Sequence, residues 1–116
     1  MEHTEKLYNI QNVYDLASGD QSFVKRLLTI FITETPVTLG EMFDANSKGD
    51  TETLKKLAHR IKPSIKNLDI RSIIGDLHDI EMGIDPHNTD QKLKRISGIL
   101  IEVIMGLNEE LEEQML

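Results

Sequence analysis

The sequence predicts an all-α protein, an antiparallel four-helix bundle with a short N-terminal capping helix, forming one domain over residues 1–116. Three observations carry this prediction. Apolar residues recur at three- and four-residue spacing, and no segment alternates at period two as a half-buried strand would. Short clusters of turn-forming residues separate these segments. Aromatic residues make up only 4% of the chain, so the core depends on leucine, isoleucine and methionine, which suits helix packing.

The first two helices are predicted from their end signals. The first covers residues 12–17, with its first residue as N-cap and Gly19 as terminator. The second starts after Asp20, a good cap, and runs over residues 21–45. Pro36 is expected to kink or break it, because proline lacks the amide donor and clashes with the carbonyl one turn back. Its predicted apolar face consists of Phe23, Leu27, Ile30 and Phe31.

Three further helices follow a turn at residues 46–50. The third is capped by Asp50 or Thr51, and its apolar stripe fits within about 100° of arc. The fourth covers residues 71–84 and the fifth residues 89–114, with a loop between them. The stripe of the third helix is Leu54, Leu57, Ala58, Ile61, Ile65 and Leu68. The other two stripes are Ile70, Ile73, Ile74, Leu77, Ile80 and Ile84, then Leu93, Ile96, Leu100, Val103, Leu107 and Leu111.

The composition excludes several classes of function. The chain has no cysteine, which rules out disulfides, zinc–thiolate sites and thiol catalysis. Its net charge of −7 argues against general nucleic-acid binding, which needs a basic surface. The N-terminal stretch MEHTEKLYN lacks an apolar signal core, and the longest apolar run, residues 98–107, is too short to span a bilayer. We therefore expect a cytoplasmic protein without membrane contact, and Met1 leads us to expect a free-standing one.

A cluster of basic residues surrounds His59 on the third helix. We call it the cationic ridge, and it consists of Lys55, Lys56, Arg60, Lys62 and Lys66. No acid lies within residues 53–68, although the whole chain holds 20. Measured from the centre of the apolar stripe, His59 projects about 140° away, which predicts a solvent-facing imidazole. Phosphoryl transfer depends mainly on positioning and charge stabilisation, so an exposed imidazole beside an ammonium group suits it. The same spacing is also typical of an ordinary solvated helix face.

The string around this histidine carries a family resemblance. LAHRIKPSIKNLDI, residues 57–70, resembles the active helix of histidine-containing phosphotransfer (HPt) domains, which reads roughly A-H-x-L-K-G-S-x-x-x-[LIM]-G. The upstream segments SGDQSFVKRLLTIFITETP and GDTETLKKLAH resemble the family's second helix and its turn into the active helix. The resemblance therefore covers nearly the whole chain. The positions that match in type and spacing are Ala58, His59, Ile61, Lys62, Ser64 and Leu68.

The resemblance implies a phosphorelay intermediate rather than an autonomous enzyme. His59 would accept a phosphoryl group from the receiver aspartate of a response regulator and pass it to another, and Lys62 would stabilise the phosphate. Partners would be receiver domains or a hybrid sensor histidine kinase, docking on a monomer. No cofactor is expected, because Mg²⁺ would belong to the receiver. The expected partner-binding residues are Lys55, Arg60, Pro63, Ser64 and Lys66, together with exposed apolar residues of the second helix.

Two departures from the family pattern matter. Pro63 stands where the family usually has glycine, and it removes the hydrogen bond from residue 63 to the carbonyl of His59, which typically costs about 3 kcal/mol. Since Pro63 lies opposite the core, we expect a tolerated kink. Some family members place a glutamine near the histidine, where this chain offers His78 and Glu81. Glu81 would either repel a phosphate or hydrogen-bond the imidazole, and Ser64 would either reach the phosphate or bond its own backbone.

Two alternatives remain beside the phosphocarrier. The first is a degenerate HPt-like adaptor that binds a partner through the same face without phosphotransfer. The second is a metal-binding or oxidase bundle, since His78 and Glu81 have the i, i+3 spacing of half a metal site. The chain has no glycine-rich nucleotide loop, which excludes kinase activity, and no nucleophile elbow, which argues against a serine hydrolase.

Overall fold

The computed structural model describes residues 7–114, and this part of the chain is all-α, as predicted. Single turns of 3-10 helix lie at Arg71–Ile73 and Pro86–Asn88. Residues 1–6, which hold most of the stretch searched for an export signal, and residues 115–116 lie outside the described residues. Within residues 7–114 there are five α-helices: α1 (Gln11–Leu16), α2 (Gln21–Ser47), α3 (Thr51–Asn67), α4 (Ile74–Met82) and α5 (Thr89–Gln114).

The four longer helices form a closed antiparallel ring. Helix α3 packs between α2 and α4, and α5 closes the ring by packing against the same two helices. Helix α1 packs against α2 at one end. Short connections join the helices in chain order, which gives adjacent helices opposite directions. Among the described residues, no helix has the length and apolar character needed to cross a membrane.

Both predicted aspartate caps are present. The Asp20 carboxylate accepts hydrogen bonds from the backbone amides of Ser22 and Phe23, at 3.0 and 3.3 Å. Asp50 accepts from the backbone amide and the hydroxyl of Thr53, at 3.2 and 2.7 Å, so Asp50 rather than Thr51 is the N-cap of α3. Each aspartate satisfies amides that the first turn of a helix leaves without an intrahelical partner. These caps set the start of α2 and of α3.

The predicted stripes of α3 and α5 form the centre of the core. All six α3 positions are buried, and so are five of the six on α5, with Leu111 partly buried. The α4 stripe is correct except at Ile74 and Ile84. Ile74 is only partly buried, and Ile84 is 49% exposed. The reason is that α4 ends at Met82, where Gly83 adopts a left-handed conformation (φ 71°) and turns the chain away before Ile84.

The predicted apolar face of α2 is wrong. Phe23 and Ile30 are exposed, Leu27 is half-buried, and of the four only Phe31 lies in the core. Helix α2 carries apolar residues on two adjacent faces, and the predicted face is interrupted by Glu34. The core takes the face that continues along the whole helix, because only that face can pack against α3 and α5 over their lengths. Its buried residues are Val24, Leu28, Phe31, Thr35, Leu39, Met42 and Ala45.

Both internal prolines lie inside unbroken helices. Helix α2 continues through Pro36, which contradicts the break but not the kink expected there, and α3 continues through Pro63 as expected. Both proline rings are exposed to solvent. The carbonyl groups that lose their helical donors therefore lie on the outer side, where water can bond them.

The predicted fourth helix is shorter than expected, since residues 71–73 form a 3-10 turn before α4 begins.

Candidate functional site

His59 stands on the outer side of α3. Its neighbours Leu57, Ala58 and Ile61 are buried in the core, whereas the imidazole side chain is 77% exposed. The direction follows from helical periodicity, because Ala58 and Ile61 point inwards and His59 falls between them on the opposite side. The predicted solvent-facing imidazole is thus confirmed.

Glu81 on α4 reaches across to this histidine. One carboxylate oxygen, Oε2, lies 2.5 Å from His59 Nδ1, and the other, Oε1, accepts a hydrogen bond of 2.7 Å from Lys62 Nζ. Both the carboxylate and Lys62 are largely shielded, with side chains 14% and 17% exposed. Glu81 lies in the last turn of α4, which packs along α3, so the contact depends on the pairing of these two helices. A single carboxylate therefore connects the two residues that the sequence singled out.

The charge of Glu81 decides which ring nitrogen carries the proton. The hydrogen bond from Lys62 and then that from His59 lower the pKa of Glu81, against a smaller opposing effect of burial. The carboxylate is therefore ionised at neutral pH and can only accept hydrogen bonds. Its partner Nδ1 must then donate, which leaves the lone pair of a neutral ring on Nε2.

This arrangement prepares Nε2 to act as a nucleophile. A carboxylate that holds the far nitrogen of an imidazole fixes the tautomer and the orientation of the ring, and it stabilises the positive charge that develops when the near nitrogen attacks. Here the ring is exposed while the carboxylate is shielded. A bulky reagent carried by another protein can therefore reach Nε2 without disturbing Glu81.

The cationic ridge is partly neutralised by acids from other helices. Lys62 is paired with Glu81 on α4, and Arg60 donates to Glu41 on α2 at 3.1 Å. The Arg60–Glu41 pair is well exposed on both sides and contributes little to stability. Lys55 lies beside Gly83, where a Cβ atom would meet the lysine Nζ and Cε at 3.2 Å. The acid-free stretch of α3 thus meets carboxylates from its neighbours, which sequence spacing does not reveal.

The expected site residues divide between two depressions on either side of α3. His59, Lys62, Pro63 and Lys66 line the first, on the α4 side, with Asn67, Glu81 and Met82. Arg60 and Ser64 line the second, a groove between α1, α2 and α3. Ser64 therefore lies on the opposite side of α3 from the imidazole. Lys55 lines neither depression.

Of the two alternatives that the sequence left open for Glu81, the structure shows the hydrogen bond to the imidazole. The sequence pattern did not point to Met82, which is 55% exposed at the rim. The available signal was the position of Glu81 one turn after the buried Leu77, which places it beside the packed face of α4. His78, also weighed, is exposed on α4. Within residues 7–114 no three histidine, aspartate or glutamate side chains are grouped so that they could hold a metal ion.

Comparisons with family models, with curated proteins and with solved structures gave no match for this chain. The resemblance to HPt domains rests on the residues of α3 and their context, and it stays a prediction.

Proposed function

We propose that this protein is an HPt-type phosphocarrier, which accepts a phosphoryl group on Nε2 of His59 from a receiver aspartate and passes it to another receiver. One observation carries the proposal. The imidazole is 77% exposed while its Nδ1 is bonded to the ionised carboxylate of Glu81. An ordinary solvated histidine needs no shielded partner to orient it. A nucleophile does, because its reactive lone pair must face the incoming group.

The transfer step needs only the imidazole of His59 and the phosphorylated aspartate of the receiver. The lone pair of Nε2 forms a bond to phosphorus while the bond between phosphorus and the aspartyl oxygen breaks, and the electron pair leaves with the receiver's carboxylate. The reverse step returns the phosphorus–nitrogen electron pair to Nε2. Positioning and charge stabilisation supply most of the catalysis in such transfers. The receiver's acidic pocket would supply any Mg²⁺, so this chain would act as a carrier without enzymatic activity of its own.

Lys62 is proposed to stabilise the transferred phosphoryl group. It already donates to Oε1 of Glu81, and that carboxylate also contacts the imidazole. An ammonium group has three donors, so Lys62 can keep Glu81 and turn a second N–H towards a phosphoryl oxygen. Lys66, which lines the same depression, adds positive potential.

The docking surface is proposed to combine the cationic ridge with the exposed apolar face of α2. Phe23, Ile30 and Val37 are 38%, 45% and 62% exposed on that helix. Ile30 lines the groove that also contains Arg60 and Ser64, which brings apolar and polar contacts together beside α3. A receiver's acidic pocket is complementary in charge to the ridge, which favours rapid encounter. We expect a modest contact between a monomer of this protein and one receiver domain, or a hybrid kinase, in the cytoplasm.

Incubation with a phosphorylated receiver domain tests the proposal. We expect label on the full chain that is labile in acid and stable in base, as a phosphorus–nitrogen bond is, and that disappears in His59→Gln. Label that persists in His59→Gln, or no label on the wild-type chain, contradicts the proposal.

A second candidate is an adaptor that binds a partner through the same surface without transferring phosphate. The pairing of Arg60 with Glu41 and of Lys62 with Glu81 favours it, since both cations are occupied in this structure. The adaptor predicts that His59→Gln binds the receiver with unchanged affinity and that neither chain takes label. Label on the wild-type chain excludes it.

A further inference from the structure

We infer that Glu81 keeps a proton on Nδ1 of His59 after Nε2 has been phosphorylated, and thereby holds the phosphohistidine in the cationic form that releases its phosphoryl group. The inference rests on the proposed function. It gives Glu81 a role in the second half of the cycle, when the group leaves. It also makes Glu81 a positioning residue, since its carboxylate contacts the imidazole and not the phosphorus.

The argument starts from the electrons of the ring. When Nε2 of a ring that carries its proton on Nδ1 attacks phosphorus, both nitrogens become substituted and the ring becomes a cation. Breaking the phosphorus–nitrogen bond of this cation returns the electron pair to Nε2 and yields a neutral imidazole. If Nδ1 has lost its proton first, the same cleavage must yield an imidazolate anion. An anion of that basicity is a poor leaving group, so the protonated phosphohistidine is the reactive one.

The geometry keeps Glu81 in place after phosphorylation. The two ring nitrogens lie on different edges of the imidazole, so a group on Nε2 projects away from the Oε2 atom that contacts Nδ1 at 2.5 Å. The Glu81 side chain is 14% exposed, whereas the ring is 77% exposed. Water therefore competes weakly for the carboxylate, and its electrostatic interaction with the Nδ1–H group is screened less than that of a fully solvated pair.

Other charges near the ring act in both directions. The phosphoryl group itself favours a cationic ring, and the α3 lysines disfavour it. Glu81 touches the ring, whereas Lys56 and Lys66 are exposed and their charges are screened by solvent. Lys62 shares the same carboxylate, which weakens the effect of Glu81 without cancelling the direct hydrogen bond. The groups around the ring are Lys55, Lys56, Lys62 and Lys66 on α3, the Arg60–Glu41 pair between α3 and α2, and His78 and Glu81 on α4.

Replacing Glu81 by glutamine removes the negative charge but keeps a hydrogen-bond acceptor, so it separates the two effects of the carboxylate. The amide oxygen of Glu81→Gln still accepts from Nδ1, and its NH₂ group can donate to a deprotonated Nδ1. The variant therefore keeps the ring in place but no longer favours the cation. We expect the phosphohistidine of Glu81→Gln to lose its Nδ1 proton at lower pH and to retain its phosphoryl group longer near neutral pH.

The experiment loads the full chain with phosphoramidate, a small phosphoryl donor that needs no receiver. Loss of phosphohistidine is followed by ³¹P NMR and ring protonation by ¹⁵N shifts, between about pH 5 and about pH 10. In Glu81→Gln both the protonation midpoint and the midpoint of the rate profile should shift down by about one pH unit or more. Between the two midpoints the wild-type chain should then lose its phosphoryl group up to about tenfold faster.

Two further variants assign the effect. Glu41→Gln removes the same charge from a neighbouring carboxylate that contacts Arg60 and not the imidazole, and it should leave the midpoint unchanged. In a Lys62→Met background the shift caused by Glu81→Gln should persist. Its disappearance there would assign the effect to a liberated lysine and overturn the inference.

The experiment distinguishes a failure of this inference from a failure of the phosphocarrier proposal. Equal midpoints in the wild-type chain and Glu81→Gln, or an equal shift in Glu41→Gln, overturn this inference and leave the phosphocarrier proposal standing. A wild-type chain that takes no phosphoryl group from phosphoramidate or from a receiver overturns both.

Discussion

His59 and Glu81 are separated by 22 positions in the chain, yet the imidazole Nδ1 and the carboxylate Oε2 lie 2.5 Å apart. The contact joins the outer side of α3 to the last turn of α4. It makes the orientation of the imidazole dependent on the packing of two helices, and it leads to predictions that can be checked one residue at a time.

Glu81→Ala should slow the phosphorylation of His59. Alanine removes the acceptor that holds Nδ1–H, so the ring turns freely and part of the population carries its proton on Nε2 instead. Both changes lower the fraction of rings whose Nε2 lone pair is ready to attack, so we expect label uptake to slow several-fold. The rate of label uptake from a phosphorylated receiver measures the effect, and ¹⁵N shifts report the tautomer. An uptake rate equal to that of the wild-type chain would show that the contact does not orient the ring.

Lys62→Ala should slow transfer and leave the helical fold intact. The lysine is the cation bonded to the carboxylate beside His59, and its loss removes charge from the place where we propose that the phosphoryl group arrives. Lys56→Ala is the matched control, because it removes an exposed charge from the same helix. Circular dichroism checks the fold. Equal rates for the two variants would remove the electrostatic role assigned to Lys62.

The contribution of Glu81 to stability should depend on pH in a defined direction. Its pKa is lower in the folded chain than in the unfolded one, and so is that of Asp50, where the hydrogen bonds from Thr53 are the main cause. Each carboxylate therefore adds stability above its unfolded pKa, about 4, and the contribution is lost as the pH falls through the folded pKa.

Urea unfolding at several pH values measures this dependence. The difference in stability between the wild-type chain and Glu81→Gln should be present at pH 7 and should shrink as the solution is acidified below about pH 4. A difference in unfolding free energy that stays constant down to strong acid would contradict the ion pair between Glu81 and Lys62.

The two faces of α2 should respond differently to truncation. Leu28 is 1% exposed and Ile30 is 45% exposed, although the sequence pattern places Ile30 on the predicted core face. Leu28→Ala should destabilise the chain by about 2–5 kcal/mol because it leaves a cavity. Ile30→Ala should cost less than about 1 kcal/mol and should weaken receiver binding instead. Urea unfolding tests the stabilities and a binding titration tests receiver binding. A larger loss of stability in Ile30→Ala than in Leu28→Ala would show that the Ile30 face of α2 packs in the core.

The sequence by itself determined the all-α class, the Asp20 cap, the buried stripe of α3 and the exposure of His59, and it narrowed the cap of α3 to Asp50 or Thr51. These features are local, since a helix of 3.6 residues per turn assigns each side chain a direction as soon as the core face is known. On α3 only one face is apolar, so the assignment has one solution. The cap at Asp50 is equally local, because it involves Thr53 three residues further on.

Tertiary packing decided the rest. Helix α2 has two apolar faces, and only its contacts with α3 and α5 select the one that contains Leu28. The carboxylates that meet the cationic ridge come from Glu41 and Glu81, which approach α3 from opposite sides. Their positions depend on the rotation and offset of whole helices, which result from the sum of many long-range contacts and leave no spacing pattern in the chain. Helical periodicity alone places His59 on the solvent side of α3. The packing of α4 against α3 brings the Glu81 carboxylate to its Nδ1 atom.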